Sequence, residues 1–388
     1  MLKSLLSSAV AATLCTSAAL AADPVKIGMI TTLSGPAGYL GQDIRDGFQL
    51  AIDLEGGKLG DVPVEVLVED DALKPGSGRQ IADRFLNDEG VKLFTGIVFS
   101  NVAGATVPEI LDAGAIFVSP NAGPSEFAGK GCHKNYFVLS WLTDTMQGSA
   151  GRNASDLGYK NAFVLAPNYQ AGKDAITGFK RYFDGEIAGE IYTRLDQTDF
   201  AAEMAQIKAA NPDVVFQFQP GGLGIAFLRQ YQQAGLLGSI PMVIAEPSMD
   251  HAILKAVGDA AEGLNVSGAW NVDLDNDTNR AFVASFEEAY GRAPTMYAAQ
   301  GYDTALAIAS ALKETGGDVD DTEAFRAAML ATGFDTTRGS FSFGKNQHPV
   351  QDWYAMQVVR DDAGKLALKT RKQLMAAHGD PFAADCDL

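Results

Sequence analysis

The chain is short of the residues on which most catalysis rests. Only four histidines occur in 388 residues. His133, His251, His348 and His378 stand apart, none at metal-ligand spacing from another histidine or a cysteine pair. There is no G-x-S-x-G elbow and no phosphate loop closing on Gly-Lys-Ser/Thr. These gaps argue against a metal site, an activated serine or a nucleoside triphosphate, and no cofactor or metal is expected. Positive charge is scarce too, with 30 lysines and arginines against 48 acids and a formal charge of −18. Such a surface repels nucleic acid and anionic lipid. Beyond the first 21 residues no apolar run reaches the roughly 18 residues of a membrane span.

Cysteine is the next scarcity. Residues 1–21 carry Lys3, an apolar run from Leu5 to Leu20 thinned by Ser and Thr, and Ala19-Leu20-Ala21 ahead of Ala22-Asp23. That pattern is a secretory signal, with cleavage expected after Ala21 and an exported, soluble product. Cys15 follows Leu14, where lipid attachment wants a small residue, so it goes with the signal. Cys132 and Cys386 remain, an even pair in an oxidising compartment, and a disulfide between them would order the tail "FAADCDL".

What is present is alternation. "PVKIGMI" (25–31), "PVEVLVED" (63–70) and the short strands 94–99 and 115–118 are separated by helical segments. The alternation pauses near "NYFVLSWL" (135–142), then restarts with "NAFVLAP", "EIAGEIY", "DVVFQFQ", "PMVIAE" and "GLNVSGAW". Repeated βαβ units predict parallel sheets covered by helices on both faces. Length favours two domains. After Trp270 come helices with no sheet of their own, over 281–290, 297–314 and 323–331, and then a hairpin-like pair, "GSFSF" and "YAMQVVR". Those helices must return to a sheet already built, so the chain recrosses between the lobes.

One feature points to an enzyme: Gly222-x-Gly224 follows a strand and opens a helix, and Glu246 closes the next strand, which mimics a dinucleotide fingerprint. The third glycine is replaced by Phe227, whose ring blocks close helix-to-strand packing. The segment "FTGIVFSNVAGATVPEILDAGAIFVSPNAGPS" is more telling. Two adjacent strands run into Ser100-Asn101 and Ser119-Pro120-Asn121-Ala122-Gly123, small residues with no acid or base. In an open parallel sheet, ligands sit beyond the carboxyl ends of strands, where helix N-termini present unpaired N–H groups. The segment therefore reads as a binding shelf for an anion such as a carboxylate.

"IGMITTLSGPAGYLGQDIRDGFQLAID", this shelf segment, "TDFAAEMAQIKAANPDVVF", "LRQYQQAGL", "AEGLNVSGAW" and "PTMYAAQGYDTALAI" follow one another in an order and spacing that cover essentially the whole chain beyond the signal. In this the sequence resembles the branched-chain-amino-acid type of periplasmic solute-binding protein, the receptor component of ABC importers. The resemblance implies a type I periplasmic-binding-protein fold: two Rossmann-like α/β lobes joined by a three-strand hinge that closes over ligand. It places the first lobe at 22–141 with 270–348 and the second at 142–269 with 349–388. It implies a periplasmic monomer that hands its ligand to membrane permease subunits, and not an enzyme.

Carried over residue by residue, the resemblance puts the ligand carboxylate on Ser100 and on the shelf Asn121, Ala122 and Gly123. Glu246 matches the acid that meets an ammonium in amino-acid binders, although a strand-end carboxylate capping the following helix is the plainer reading. Tyr297 stands where an aromatic touches the ligand side chain, and Tyr39 lies at the cleft mouth. Tyr169 and Gln170 replace a usual Tyr-Gly. The shelf has Asn121 and Gly123 where amino-acid receptors carry Ala and Ser or Thr. With "NYQAGKD" and "QPGGLG", this favours a small apolar or aromatic carboxylate, an amino acid or an aromatic acid, over leucine itself. A sensory receptor feeding a signalling partner is the second class, and an exported enzyme the third.

Overall fold

The computed structural model describes residues 23–331 and 333–388. The expected signal sequence, its expected cleavage after Ala21 and Cys15 lie outside the described residues. The first sheet is built from β1 (Val25–Thr31), β2 (Lys58–Leu59), β3 (Val62–Asp70), β4 (Leu93–Gly96), β5 (Ile116–Ser119) and β6 (Tyr136–Val138). Its order is β2-β3-β1-β4-β5-β6, parallel throughout except for the β2–β3 hairpin. The second sheet contains β7 (Asn161–Pro167), β8 (Glu186–Thr193), β9 (Val214–Gln217), β10 (Met242–Ala245), β11 (Asn265–Gly268), β12 (Phe341–Phe343), β13 (Pro349–Arg360) and β14 (Leu366–His378). Its order is β12-β13-β11-β10-β9-β7-β8, with β14 paired to β13.

The expectation of purely parallel sheets fails at one edge of each sheet, at the β2–β3 hairpin in the first and beyond β11 in the second. Strands β12, β13 and β14 pair antiparallel, because short connections can join only antiparallel neighbours. β12 and β13 are the anticipated hairpin pair. β12 follows the helices of the first lobe but hydrogen-bonds in the second sheet, at the seam between lobes.

The helices are α1 (Gly38–Leu54), α2 (Pro75–Asn87), α3 (Ser100–Asp112), α4 (Thr143–Asp156), α5 (Gln170–Tyr182), α6 (Ala201–Ala210), α7 (Gly222–Gln233), α8 (His251–Val257), α9 (Asp277–Tyr290), α10 (Met296–Thr315) and α11 (Thr322–Leu330). As expected, α10 returns to the first lobe and packs on α1. Gly47 lies on the Ala298 carbonyl and Gly301 on that of Ile44, so a Cβ at either would run into the facing backbone. The α4–α5 crossing repeats the device, with Gly151 on Phe179 and Gly178 on Asp144. Apolar side chains of α6, α7 and α8, among them Phe200, Phe227 and Ile253, fill a separate core under the second sheet.

The chain passes between lobes three times, after β6, after β11 and after α11. Buried Arg338, on the third crossing, ties it to the first and to α10: Nε donates to Asp303 Oδ2 (3.0 Å), and Nη1 donates to the Ser140 carbonyl and to Gln351 Oε1 (2.8 Å each). Cys132 and Cys386 are bonded, with Cα atoms 5.7 Å apart, which anchors the tail beside the segment following β5.

Candidate ligand-binding site

The carboxyl ends of β4 and β5 face the start of α5 across the gap between lobes. Phe99 is extended and Ser100 opens α3, while extended Tyr169 precedes α5. Two helix N-termini thus converge, and each carries partial positive charge and unpaired N–H groups. The Ala171 N–H donates to Ser100 Oγ (2.9 Å), a direct bond between lobes. That geometry leaves the serine hydroxyl free to act as a donor.

The shelf after β5 is rigid. The Ala122 carbonyl accepts from Ser119 Oγ (2.7 Å) and from the Tyr136 hydroxyl (3.0 Å), and the Asn121 carbonyl accepts from Ser140 Oγ (2.8 Å). The Asn121 side-chain amide donates to Gln300 Oε1 (2.8 Å). Gly123 packs its α-carbon on the Trp141 carbonyl, where no Cβ fits.

Between the lobes lies a narrow cavity of about 20 Å³, room for little more than one water. Ser100, Asn121, Ala122, Tyr169 and Tyr297 all line it. Further walls, among them Phe99, Trp141, Thr143, Met146, Phe218 and Pro247, were not anticipated. Tyr169 stacks on Phe218 with ring centroids 6.3 Å apart and an 11° interplanar angle. No charged side chain is among the walls. Burial raises the Tyr169 and Tyr297 phenols above their usual range, so both hydroxyls keep their protons.

Four anticipated residues are not among these walls. Gly123 lies one residue beyond. Gln170 Nε2 turns to Asp174 Oδ1 (2.9 Å) and Ser125 Oγ (3.3 Å). It thereby supports a second link between lobes, in which Ser125 donates through N–H and Oγ to Asp174 (2.9 and 2.6 Å). Tyr39 sits behind the cavity, edge-on to Tyr297 (6.4 Å, 86°), and donates to Asp250 Oδ2 (2.8 Å) across the gap. Glu246 Oε2 accepts the Ala269 N–H (3.2 Å) within its own lobe. Burial holds its carboxyl well above the ordinary carboxylate range, opposed by the N–H groups of Ala269 and Trp270.

The glycines of the apparent dinucleotide motif serve packing. Gly221, at φ 61°, precedes α7, and a Cβ on Gly222 would lie 2.8 Å from Pro36 Cβ of the other lobe. A Cβ on Gly224 would press on the Gln219 carbonyl at 2.5 Å. The spacing reflects close approach of two lobes and of a helix to its preceding loop.

The sequence pattern of the periplasmic binding protein family matches residues 24–365. The chain belongs to the periplasmic binding protein family. Among related members, Leu/Ile/Val-binding protein homolog 6 of Brucella melitensis is 29% identical over 371 residues, which is 93% of this chain and 94% of the relative. A solute-binding protein of an R. palustris ABC transporter, solved with benzoate, superposes with TM-score 0.88 at 30% identity, covering 94% of this chain and all of the other. Another, from Rhodopseudomonas palustris BisB5 and solved with 3,4-dihydroxybenzoic acid, gives TM-score 0.86 at 28% identity, covering 92% and 99%. The periplasmic-binding-protein architecture explains why helices α9 to α11 return to the first lobe.

Four of the unanticipated walls lie at strand ends or on a crossing segment, while Thr143 and Met146 belong to α4. Phe99, Phe218 and Pro247 each lie just past a strand's carboxyl end, and Trp141 lies on a crossing segment. In sequence they look like ordinary core residues.

Proposed function

We propose that this protein is the periplasmic receptor of a branched-chain-amino-acid-type ABC transporter and captures an aromatic carboxylate without an amine. In this reading the lobes comprise 22–141 with 270–348 and 142–269 with 349–388, β12 being lent across to the second sheet. The carrying observation is the neutral, aromatic-walled cavity at the meeting of two helix N-termini.

The ligand carboxylate displaces the Ser100–Ala171 bond, accepting from the Ser100 hydroxyl and the Ala171 N–H. Bonds of this charge-assisted kind are the stronger ones. The ring stacks among Phe99, Tyr169 and Phe218. An amino acid fits the carboxylate half equally well but brings an ammonium, and burying a cation without a partner costs several kcal/mol. The neighbours solved with benzoate and with 3,4-dihydroxybenzoic acid support this ligand class, and the Leu/Ile/Val-binding protein homologue supports the transporter type. The cavity is too small for either ligand with the lobes as they stand. Entry therefore requires the hinge to open, and closure over ligand marks the loaded form for the permease.

Titration calorimetry of the exported monomer with benzoate, 4-hydroxybenzoate, leucine and phenylalanine tests the assignment. Binding of the benzoates and silence with both amino acids is expected. Tight leucine binding with none for the benzoates would reverse the ligand class and leave the receptor intact.

A further inference from the structure

We infer that the binding site continues past Phe99 and Pro220 into the outer cleft, and that the ligand is an aromatic carboxylate bearing an extended apolar substituent. This rests on the function proposed above.

The inner cavity and the outer cleft are neighbouring spaces with two common walls, Phe99 from the first lobe and Pro220 from the second. Their sizes differ greatly. The inner end measures about 20 Å³ and the outer about 470 Å³, while small-molecule sites run to roughly 300–1,000 Å³. The carboxylate end is therefore tight, and room for the rest of a ligand lies outside.

The outer walls suit an uncharged body. Pro36, Ala37 and Leu73 come from the first lobe and Leu195, Leu223 and Ala226 from the second. One acid, Asp196, lies among the remaining walls, and it is paired at the exposed rim with Arg194 (2.8 Å). Because both lobes supply walls, the hinge that closes the inner end also closes the outer cleft.

The first-lobe wall is held in an unusual backbone form. Ala72 and Leu73 both adopt left-handed φ values, 50° and 59°, which non-glycine residues rarely take. Asp70 Oδ1 accepts the N–H groups of Ala72 and of Leu33 (2.8 Å each), tying the two loops that form this wall. Asp71 Oδ1 accepts the Leu73 N–H and the Thr32 hydroxyl (2.7 Å each). Such over-determined strain concentrates at ligand clamps and switch regions.

Calorimetry with benzoate and its 4-methyl to 4-pentyl homologues provides the test. Each added methylene should tighten binding about fourfold while the chain fills apolar space. Ala226→Trp in α7 and Leu195→Trp in the loop after β8 should each remove that gain and leave benzoate affinity unchanged. Melting curves identify whichever variant folds, and one folded variant suffices. A flat series in the wild type, a gain that survives the folded variants, or loss of benzoate itself in them would overturn the inference. Failure of the wild type to bind any acid, benzoate included, overturns the proposed function instead.

Discussion

Strand for strand, β3-β1-β4-β5-β6 of the first sheet corresponds to β8-β7-β9-β10-β11 of the second. The loops after β5 and β10 are therefore counterparts, and they solve opposite problems. After β5 stand Pro120-Asn121-Ala122-Gly123, without charge, and Asn121 and Ala122 face the cavity. After β10 stand Glu246-Pro247-Ser248-Met249-Asp250, with two carboxylates, yet only Pro247 reaches the cavity. Glu246 takes the Ala269 N–H. Asp250 caps α8 through the Ile253 N–H (2.7 Å) and accepts the Tyr39 hydroxyl. A buried charge is settled first by the nearest unpaired backbone donors. The loop without charge is the one left open to an anionic ligand.

Exchanging the characters of the two loops gives the largest expected effect. Asn121→Asp sets a carboxylate in the first loop, facing the ligand's own, and like charges at close quarters cost several kcal/mol. Benzoate affinity of the folded variant should fall about a thousandfold, roughly 4 kcal/mol, and its melting temperature should fall as well, because the buried donor to Gln300 is lost. Calorimetry showing unchanged affinity would place the carboxylate elsewhere.

The second loop should reveal itself in stability against pH. Burial pushes Asp250 from 3.8 up to about 6. The folded state therefore holds a proton that the unfolded chain has released, so this contribution is full below pH 3.8 and is lost as pH rises through about 6. Asp250→Asn keeps the capping oxygen for the Ile253 N–H and sets its amide N–H toward the Tyr39 hydroxyl, which can accept, and it cannot titrate. Between pH 3.5 and 7 the stability of wild type relative to this variant should decline by about 3 kcal/mol. Urea unfolding at several pH values measures it, because the other carboxyls are common to both proteins and cancel. Parallel curves would mean that Asp250 titrates normally.

Most of this architecture is legible from alternation, and so are the small polar residues that line the cavity. Ser100 and Asn121 stood out because serine and asparagine at a strand end have no packing role. Phe218 and Trp141 did not, since an aromatic next to a strand looks like core until the facing lobe is in place. Glu246 shows the converse: its charge is conspicuous in sequence, yet it is absent from the cavity walls, and its partner, the Ala269 N–H, belongs to a neighbouring strand end. β14 was missed because "LALKTRKQLMAAH" is dense in long cationic side chains on an exposed edge and lacks a clean alternation. The Ser125–Asp174 link between lobes had no local signal at all.

Next in size is Ser100→Ala. The serine hydroxyl accepts from Ala171 in the closed cleft and would donate to the ligand carboxylate, a bond to a charged group. Its loss should weaken benzoate binding by about 2 kcal/mol, some thirtyfold. Stability should change little, because Ala171 N–H can still be met by the ligand or by water. Calorimetry with wild-type affinity would move the anion site off this pair of helix N-termini.

Glu246→Gln should have the smallest effect on binding, and it separates the two loops most cleanly. Glutamine keeps an oxygen for the Ala269 N–H and nearly the same volume, so packing against Gly268 persists. If Glu246 served a ligand ammonium, removing its charge would strand a buried cation and cost several kcal/mol of affinity. With its carboxyl turned to its own backbone and absent from the cavity walls, the expected change in benzoate affinity is under about 1 kcal/mol. Burial already disfavours its charged form, so the amide should be no worse than the acid for folding at neutral pH. Thermal melts of both proteins with saturating benzoate, and with leucine beside it, read the two outcomes together, since ligand stabilises as RT ln(1 + [L]/Kd). Equal shifts with benzoate and none with leucine fit a second loop closed upon itself. A leucine shift present in wild type and abolished by Glu246→Gln would restore this carboxylate to the ligand and return the receptor to amino acids.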